Sequence, residues 1–181
     1  MIALTSSRLT LIPLDHSLLQ IWRQAGREAV EKELNLQPNN ISLEKFYNQE
    51  MEDALVNYWL PMTHKFPLDF MWYTNWEIIL TASSCSIGGI GLAGLPDNVG
   101  TTEIGYALDQ KFRGLGYATE AVDTLARWAF QDPGLRVIRA ETPCENVASQ
   151  RVLETNLFRQ TGQKTIACPD PLEVFTWERS R

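Results

Sequence analysis

The stretch Glu103-Ile-Gly-Tyr-Ala-Leu-Asp-Gln-Lys-Phe-Arg-Gly-Leu-Gly-Tyr-Ala-Thr-Glu-Ala121 decides the reading of this chain. Thr102 to Leu108 reads as a strand, and two glycines, Gly114 and Gly116, stand directly before a helix predicted over Tyr117 to Phe130. Ala118, Ala121, Val122, Leu125 and Ala129 fall on one stripe of that helix, and Asp132-Pro133-Gly134 stops it. No Ser, Thr, Asp or Asn occupies the usual capping position. The first backbone N–H groups therefore lack a side-chain partner, and the positive end of the helix dipole is open to an anion. Glycine lets a phosphate come close to the backbone; Arg113 adds a charge and Thr119 a hydroxyl. The alternative is a plain tight turn in which the glycines only supply positive φ.

Upstream, Arg8 to Leu14 reads as a strand, with Pro13 suggesting an edge position, and Asp15 caps a helix predicted to reach about Val30. From Ser42 to about Leu60, Leu43, Phe46, Met51, Ala54, Leu55 and Tyr58 recur at helical spacing, and Pro61 ends the pattern. Between Met71 and Thr81 the period becomes two: Trp72, Thr74, Trp76, Ile78 and Leu80 share one face, Asn75 and Glu77 the other. Ser83 to Ser86 turn the chain and Ile87 to Leu95 returns. After a loop from Pro96 to Thr101, the strand to Leu108 completes an antiparallel meander. Downstream follow a strand over Arg136 to Thr142, a short helix over Val147 to Thr155, and strands near Arg159 to Gly162 and Leu172 to Glu178. The expected fold is a single mixed α/β (α+β) domain over residues 1–181, with a mostly antiparallel central sheet flanked by helices.

Composition narrows the function. A chain of 181 residues fits one domain, and no apolar run is long enough to span a membrane. A net charge of -6 argues against nucleic acid as the main ligand, since such binding rests on many Lys and Arg contacts to phosphate. Cys85, Cys144 and Cys168 are odd in number and lack metal-like spacing, and His16 and His64 lie far apart, so no metal is expected and the thiols read as free. The N-terminus lacks a secretory signal pattern, which makes the cytoplasm the expected compartment.

Two rival readings need weighing. Gly89-Ile-Gly-Leu-Ala-Gly94 matches the dinucleotide fingerprint G-x-G-x-x-G by letter, but Pro96 and a polar loop follow it where a helix should start. It reads as a strand whose glycines allow close packing. The segment from Glu103 onward imitates a nicotinamide-binding unit, with Glu141 as ribose ligand. Against that, Asp109 to Arg113 separate the strand from the first glycine, and Thr119 stands where the third glycine belongs.

The chain resembles the GCN5-related N-acetyltransferases (GNAT), in particular the branch of ribosomal-protein N-terminal acetyltransferases. Lys111-Phe-Arg-Gly-Leu-Gly116 is similar to the family's Gln/Arg-x-x-Gly-x-Gly/Ala loop, and Gly116-Tyr-Ala-Thr-Glu-Ala121 to that branch's continuation. Glu145-Asn-Val-Ala-Ser149, then Val152, Leu153 and Phe158, resemble its Asn-x-x-Ser helix. The resemblance implies acetyl-coenzyme A as cosubstrate and direct acetyl transfer to a primary amine: a protein N-terminus, small amine, amino acid or amino-sugar. It implies that Arg113, Gly114, Leu115, Gly116, Tyr117, Ala118 and Thr119 bind the pyrophosphate. Tyr106, Ala107 and Leu108 would pair with the pantetheine arm, one backbone N–H facing the thioester oxygen, and Asn146 would contact the arm while capping its own helix.

By strand alternation Glu103 shares a face with Gly105 and Ala107, and it is the first candidate base. Glu141 is the second, with Arg139 a possible salt-bridge partner, and water can relay for either. No tyrosine follows Tyr117, so the acid for the leaving thiolate becomes Ser149 or water. Cys144 lies beside the site with no histidine near in sequence to activate it. Trp22 or Trp59 could help build an apolar acceptor pocket on the side of the two N-terminal helices. Lys111 replaces the usual Gln or Arg, and Leu157 replaces the glycine that normally precedes the phenylalanine, which predicts a different helix ending. A coenzyme A-binding sensor without catalysis, a nicotinamide-dependent oxidoreductase and a homodimer stay open on sequence alone.

Overall fold

The computed structural model describes residues 2–43, 45–167 and 171–181; Cys168 and the side chain of Phe46 lie outside the described residues. Among the described residues eight strands form one sheet: β1 (Leu4–Thr5), β2 (Leu9–Pro13), β3 (Asn75–Leu80), β4 (Cys85–Leu92), β5 (Thr101–Leu108), β6 (Val137–Pro143), β7 (Arg159–Ala167) and β8 (Pro171–Ser180). Their order is β1-β2-β3-β4-β5-β6-β8-β7, and every neighbouring pair is antiparallel except β5 with β6. The meander read from the alternation is β3-β4-β5.

Helix α5 (Tyr117–Ala129) buries Ala121, Val122, Leu125, Ala126 and Ala129. This stripe joins Leu9, Leu11, Trp76, Ile78, Ile87, Ile90 and Ile104 from the sheet in one core. The ring of Trp128 lies 5.0 Å from Trp72 and 5.1 Å from Trp76, so these tryptophans serve packing. Near β4, an added Cβ at Gly89 would come 2.3 Å from Asn75 Oδ1 and one at Gly91 2.7 Å from the Thr74 carbonyl oxygen. The fingerprint-like glycines are thus a close approach of two strands.

The N-terminal helical part departs from expectation in two places. The single helix expected to reach Val30 is two, α1 (His16–Ala25) and α2 (Arg27–Glu33), because Gly26 adopts φ 83° and breaks the run. Asp15 caps α1 as read, accepting from Leu18 N–H at 2.9 Å. Pro61 does not end the next helix. The chain runs through α3 (Lys45–Ala54), a π turn over Leu55–Trp59 and α4 (Leu60–Lys65), with Leu60 N–H donating to the Leu55 carbonyl. Proline lacks an N–H and its ring crowds the carbonyl four residues back; a widened turn just before it relieves both problems.

A second core gathers Leu14, Leu18, Leu19, Val30 and Leu55, where Trp22 and Trp59 pack on one another at 5.8 Å between ring centroids. Those two rings are packing partners in this core. Pro13 is not on an edge strand, since β1 flanks β2; but β1 covers only Thr10 and Leu11, so Pro13 lies beyond it. The hairpin of β7 and β8 is longer than its sequence pattern, with β7 running on to Ala167. Among the described residues no helix is long and apolar enough to cross a membrane.

Candidate active site

Strands β5 and β6 run parallel but pair only where Thr101–Glu103 meet Val137–Arg139. Beyond that point β5 keeps β4 as its neighbour as far as Leu108, and β6 keeps β8 as far as Pro143, so the two strands part and leave a split. The Glu103 carbonyl accepts from Ala93 N–H, and Asp109 N–H donates to the Ile87 carbonyl, both toward β4. Alternation then turns the N–H groups of Tyr106 and Leu108 into the split, where an unpaired strand edge offers hydrogen bonds to an extended ligand. Glu103, Gly105 and Ala107 share one face, as expected. An added Cβ at Gly105 would meet nothing within 4 Å, so that face is open.

At the far end of the split the chain reaches the start of α5. Gly116 is the N-cap residue, in the left-handed conformation at φ 80° and with no side-chain capping bond; Gly114 is left-handed at φ 74°. A Cβ at Gly114 would enter open space, and one at Gly116 would lie 3.4 Å from Arg8 Nη2. The positive-φ reading and the anion-site reading therefore hold together: the glycines shape the turn, and the turn leaves the helix N–H groups uncovered. Arg113 donates from Nε to the Leu108 carbonyl at 3.3 Å. Leu115 is half exposed, while Tyr117 and Ala118 pack against the main core. Thr119 borders a cleft of about 390 Å³ shared with Arg8, Gly116 and Asn156. Glu103 does not line that cleft, so the split is defined by strand pairing and not by cavity volume.

Arg8 is the residue sequence reading missed. Its guanidinium lies 4.5 Å from the centre of the Tyr117 ring, and Nη1 donates to the Leu115 carbonyl at 3.0 Å. No local pattern could have revealed this, because Arg8 and the loop meet only through the sheet.

Glu103 faces solvent, but the walls of the split replace much of its bulk water. That desolvation, with the Glu141 carboxylate nearby, pushes its pKa up, partly opposed by Lys164 and Arg139. Glu141 is not paired with Arg139. Arg139 binds Glu178 at 2.8 Å, whereas Glu141 binds Lys164 Nζ at 2.5 Å, because the β7–β8 hairpin folds Lys164 over β6.

Across the split stands α6 (Val147–Thr155). Asn146 caps it, accepting from Ser149 N–H at 3.0 Å, and donates from Nδ2 to the Tyr47 hydroxyl of α3 at 3.0 Å. Ser149 Oγ lies 2.9 Å from the Tyr106 hydroxyl. Burial pushes the Tyr106 phenol up to about 12. Cys144 is partly exposed and its N–H donates to the Glu173 carbonyl; both histidines lie away on α1 and α4, where His16 Nδ1 pairs with Thr63 Oγ1 at 3.1 Å. Among the described residues no group of three or more His, Cys, Asp or Glu converges to hold a metal ion.

Leu157 corrects an expectation. It sits at φ 64°, just past the α6 cap, with its N–H on the Glu154 carbonyl and the Phe158 N–H on the Leu153 carbonyl. This is the left-handed ending a glycine would give, so the helix ends in the glycine manner despite the leucine. Buried Leu153 and Phe158 hold the geometry, while Leu157 itself is 74% exposed.

Residues 8–159 match the family model described as acetyltransferase (GNAT) domain. The chain is 29% identical over 154 residues to the protein named uncharacterized N-acetyltransferase YjdG of Bacillus subtilis (strain 168), covering 85% of this chain and 88% of that one. It superposes on the ribosomal-protein-S5-alanine acetyltransferase of Vibrio fischeri with a TM-score of 0.67 at 16% identity, covering 99% of this chain and 97% of the other. The RimL ribosomal L7/L12 alpha-N-protein acetyltransferase in complex with coenzyme A gives a TM-score of 0.67 at 17% identity, covering 99% and 98%. The two structural likenesses show the shared fold; with the domain match running from β2 through α6, the chain belongs to the GNAT acetyltransferase family and is an N-acetyltransferase.

Proposed function

We propose that this chain transfers acetyl from acetyl-coenzyme A to a primary amine by direct attack. The observation that carries the reading is the parting of β5 from β6 after Glu103, in line with the uncapped start of α5. An extended arm fits along the free edge of β5, and a pyrophosphate fits at the helix start, where Gly114 and Gly116 keep side chains out of the way. The fold shared with the coenzyme A-bound RimL structure supports coenzyme A as the ligand. Acetyl-coenzyme A supplies the activated thioester.

The protein supplies the rest. Residues Arg113 to Thr119 hold the phosphates, and the Tyr106 or Leu108 N–H steadies negative charge on the thioester oxygen. Glu103 takes the amine proton, directly or through one water; its raised pKa makes it a better base than an ordinary carboxylate. Ser149 donates a hydrogen bond to the departing sulfur. The family likeness favours a protein α-amine as acceptor, and the net charge of -6 favours a basic one by long-range attraction. The free thiols Cys85 and Cys144 suit a cytoplasmic setting.

Thiol release from acetyl-coenzyme A, measured across a panel of peptides with free N-termini and small amines, tests the reading. Turnover is expected on at least one class. Tight coenzyme A binding with no turnover on any amine would instead identify a sensor. Gly116→Val is expected to weaken coenzyme A binding by roughly 30-fold, through backbone strain and loss of close approach; unchanged affinity would refute the loop.

A further inference from the structure

The Tyr106 hydroxyl reaches from β5 to α6, ending 2.9 Å from Ser149 Oγ and 3.3 Å from the Ser149 carbonyl oxygen. Among the described residues nothing else engages Ser149 Oγ, and the Ser149 N–H is already committed to Asn146 Oδ1. Two hydroxyls in contact can be wired in two ways. A phenol is the better donor and an alcohol oxygen the better acceptor, so the Tyr106 proton points at Ser149 Oγ. The reverse wiring would leave the phenol proton only the longer contact to the carbonyl. With Tyr106 donating, the serine's own proton is free for another acceptor.

We propose that Tyr106 is a positioning residue for acetyl transfer: by donating to Ser149 Oγ it commits the serine hydroxyl to donate into the split, onto the leaving sulfur. The inference rests on the acetyl-transfer reading and adds to it one residue and the direction of its hydrogen bond. As the bond from amine nitrogen to acetyl carbon forms and the carbon–sulfur bond breaks, the amine proton goes to Glu103, and the released thiolate takes its proton from solvent. Neither hydroxyl loses its proton. A thiol ionises at roughly 8.5 in the reference state, far below the Tyr106 phenol at about 12, so the pair acts by hydrogen bonding and not as a net acid.

Titration calorimetry with coenzyme A and with desulfo-coenzyme A separates this role from a structural one. Tyr106→Phe and Ser149→Ala are each expected to weaken coenzyme A binding about five- to tenfold at a pH high enough to ionise the coenzyme A thiol, and to leave desulfo-coenzyme A binding unchanged. In turnover, each is expected to lower kcat about tenfold at constant KM for acetyl-coenzyme A, and the double variant to fall no further than either single one. Equal weakening for both ligands, or additive losses in kcat, would overturn the proposal. If the wild-type chain acetylates no amine, the transfer reading fails while the calorimetric pair still decides the contact. A wild-type chain that binds no coenzyme A overturns both.

Discussion

The split between β5 and β6 and the seam between α5 and the turn joining β1 to β2 each hold a glutamate, and the two carboxyls are pushed in opposite directions. In the split, desolvation and the neighbouring Glu141 raise Glu103 above the usual carboxylate range. At the seam, partial burial also works against the charge of Glu120. It is outweighed by hydrogen bonds from Ser6 Oγ, the Arg8 N–H, Arg8 Nε and Ser7 Oγ, which hold the group down at about 2. The same side chain is thus a tie when donors surround it and, in the proposed reaction, a proton acceptor when they are withheld. A carboxyl whose pKa is raised by the fold costs stability once ionised, and such costs concentrate at reacting groups.

The strongest way to break this comparison is Glu103→Gln. It is expected to lower kcat/KM roughly 100-fold near neutral pH without lowering the melting temperature. The wild-type rate should fall as pH drops through the raised Glu103 pKa, because the base becomes protonated, and the variant should lack that limb. Its deficit should narrow at higher pH, where the amine loses its proton unaided. A variant that keeps the wild-type pH–rate profile would move the base to Glu141 or to water.

Glu120→Gln should do the reverse, leaving chemistry intact while costing about 1–2 kcal/mol at pH 7, since Arg8 is half exposed and solvent screens part of the pairing. The sign follows from a depressed pKa: the stabilisation is fully present above the ordinary value of 4.5 and is lost as pH falls toward about 2. Urea midpoints of both chains at pH 7, 4 and 3 should therefore converge, and parallel midpoints would show that charge is not what ties the seam. The smallest effect belongs to Leu157→Gly, which borders the same cleft as Glu120. Relieving the left-handed leucine should stabilise the fold by about 1 kcal/mol at every pH, separating strain at the seam from charge at the seam. A loss of stability on this substitution would mean that exposed Leu157 contributes packing that outweighs its backbone strain.

What could be read in advance was local. Alternation placed Glu103, Gly105 and Ala107 on one face, the missing cap marked the start of α5, and Asp15 and Asn146 were identified as caps from residue type and position. What escaped was made by distant segments meeting. Lys164 reaches Glu141 only because the β7–β8 hairpin lies beside β6, Tyr106 finds Ser149 only across the split, and Arg8 reaches the glycine loop only through the sheet. Gly26 and Pro61 misled in opposite senses. The helix expected to reach Val30 breaks at Gly26, whereas Pro61, expected as a stop, is absorbed by one wide turn. The helix-ending leucine was noticed as a departure, but the packing of Leu153 and Phe158 fixed its backbone more strongly than its own preference.

The wide turn at Leu55–Trp59 also sets a rotational phase. A π turn holds about one residue more than an α turn, and each residue of an α-helix swings the side-chain direction by about 100°. On one side of it, α3 presents the Tyr47 hydroxyl to Asn146 beside the split; on the other, Leu60 packs against the α1 core, as does Trp59 at the turn's end. Deleting a single residue between positions 55 and 59 would scarcely shorten the rod, yet it would turn Tyr47 away from Asn146 by about a quarter of a revolution. In chains of this build, a one-residue change of length there acts as a gear change, selecting which face of α3 looks onto the split.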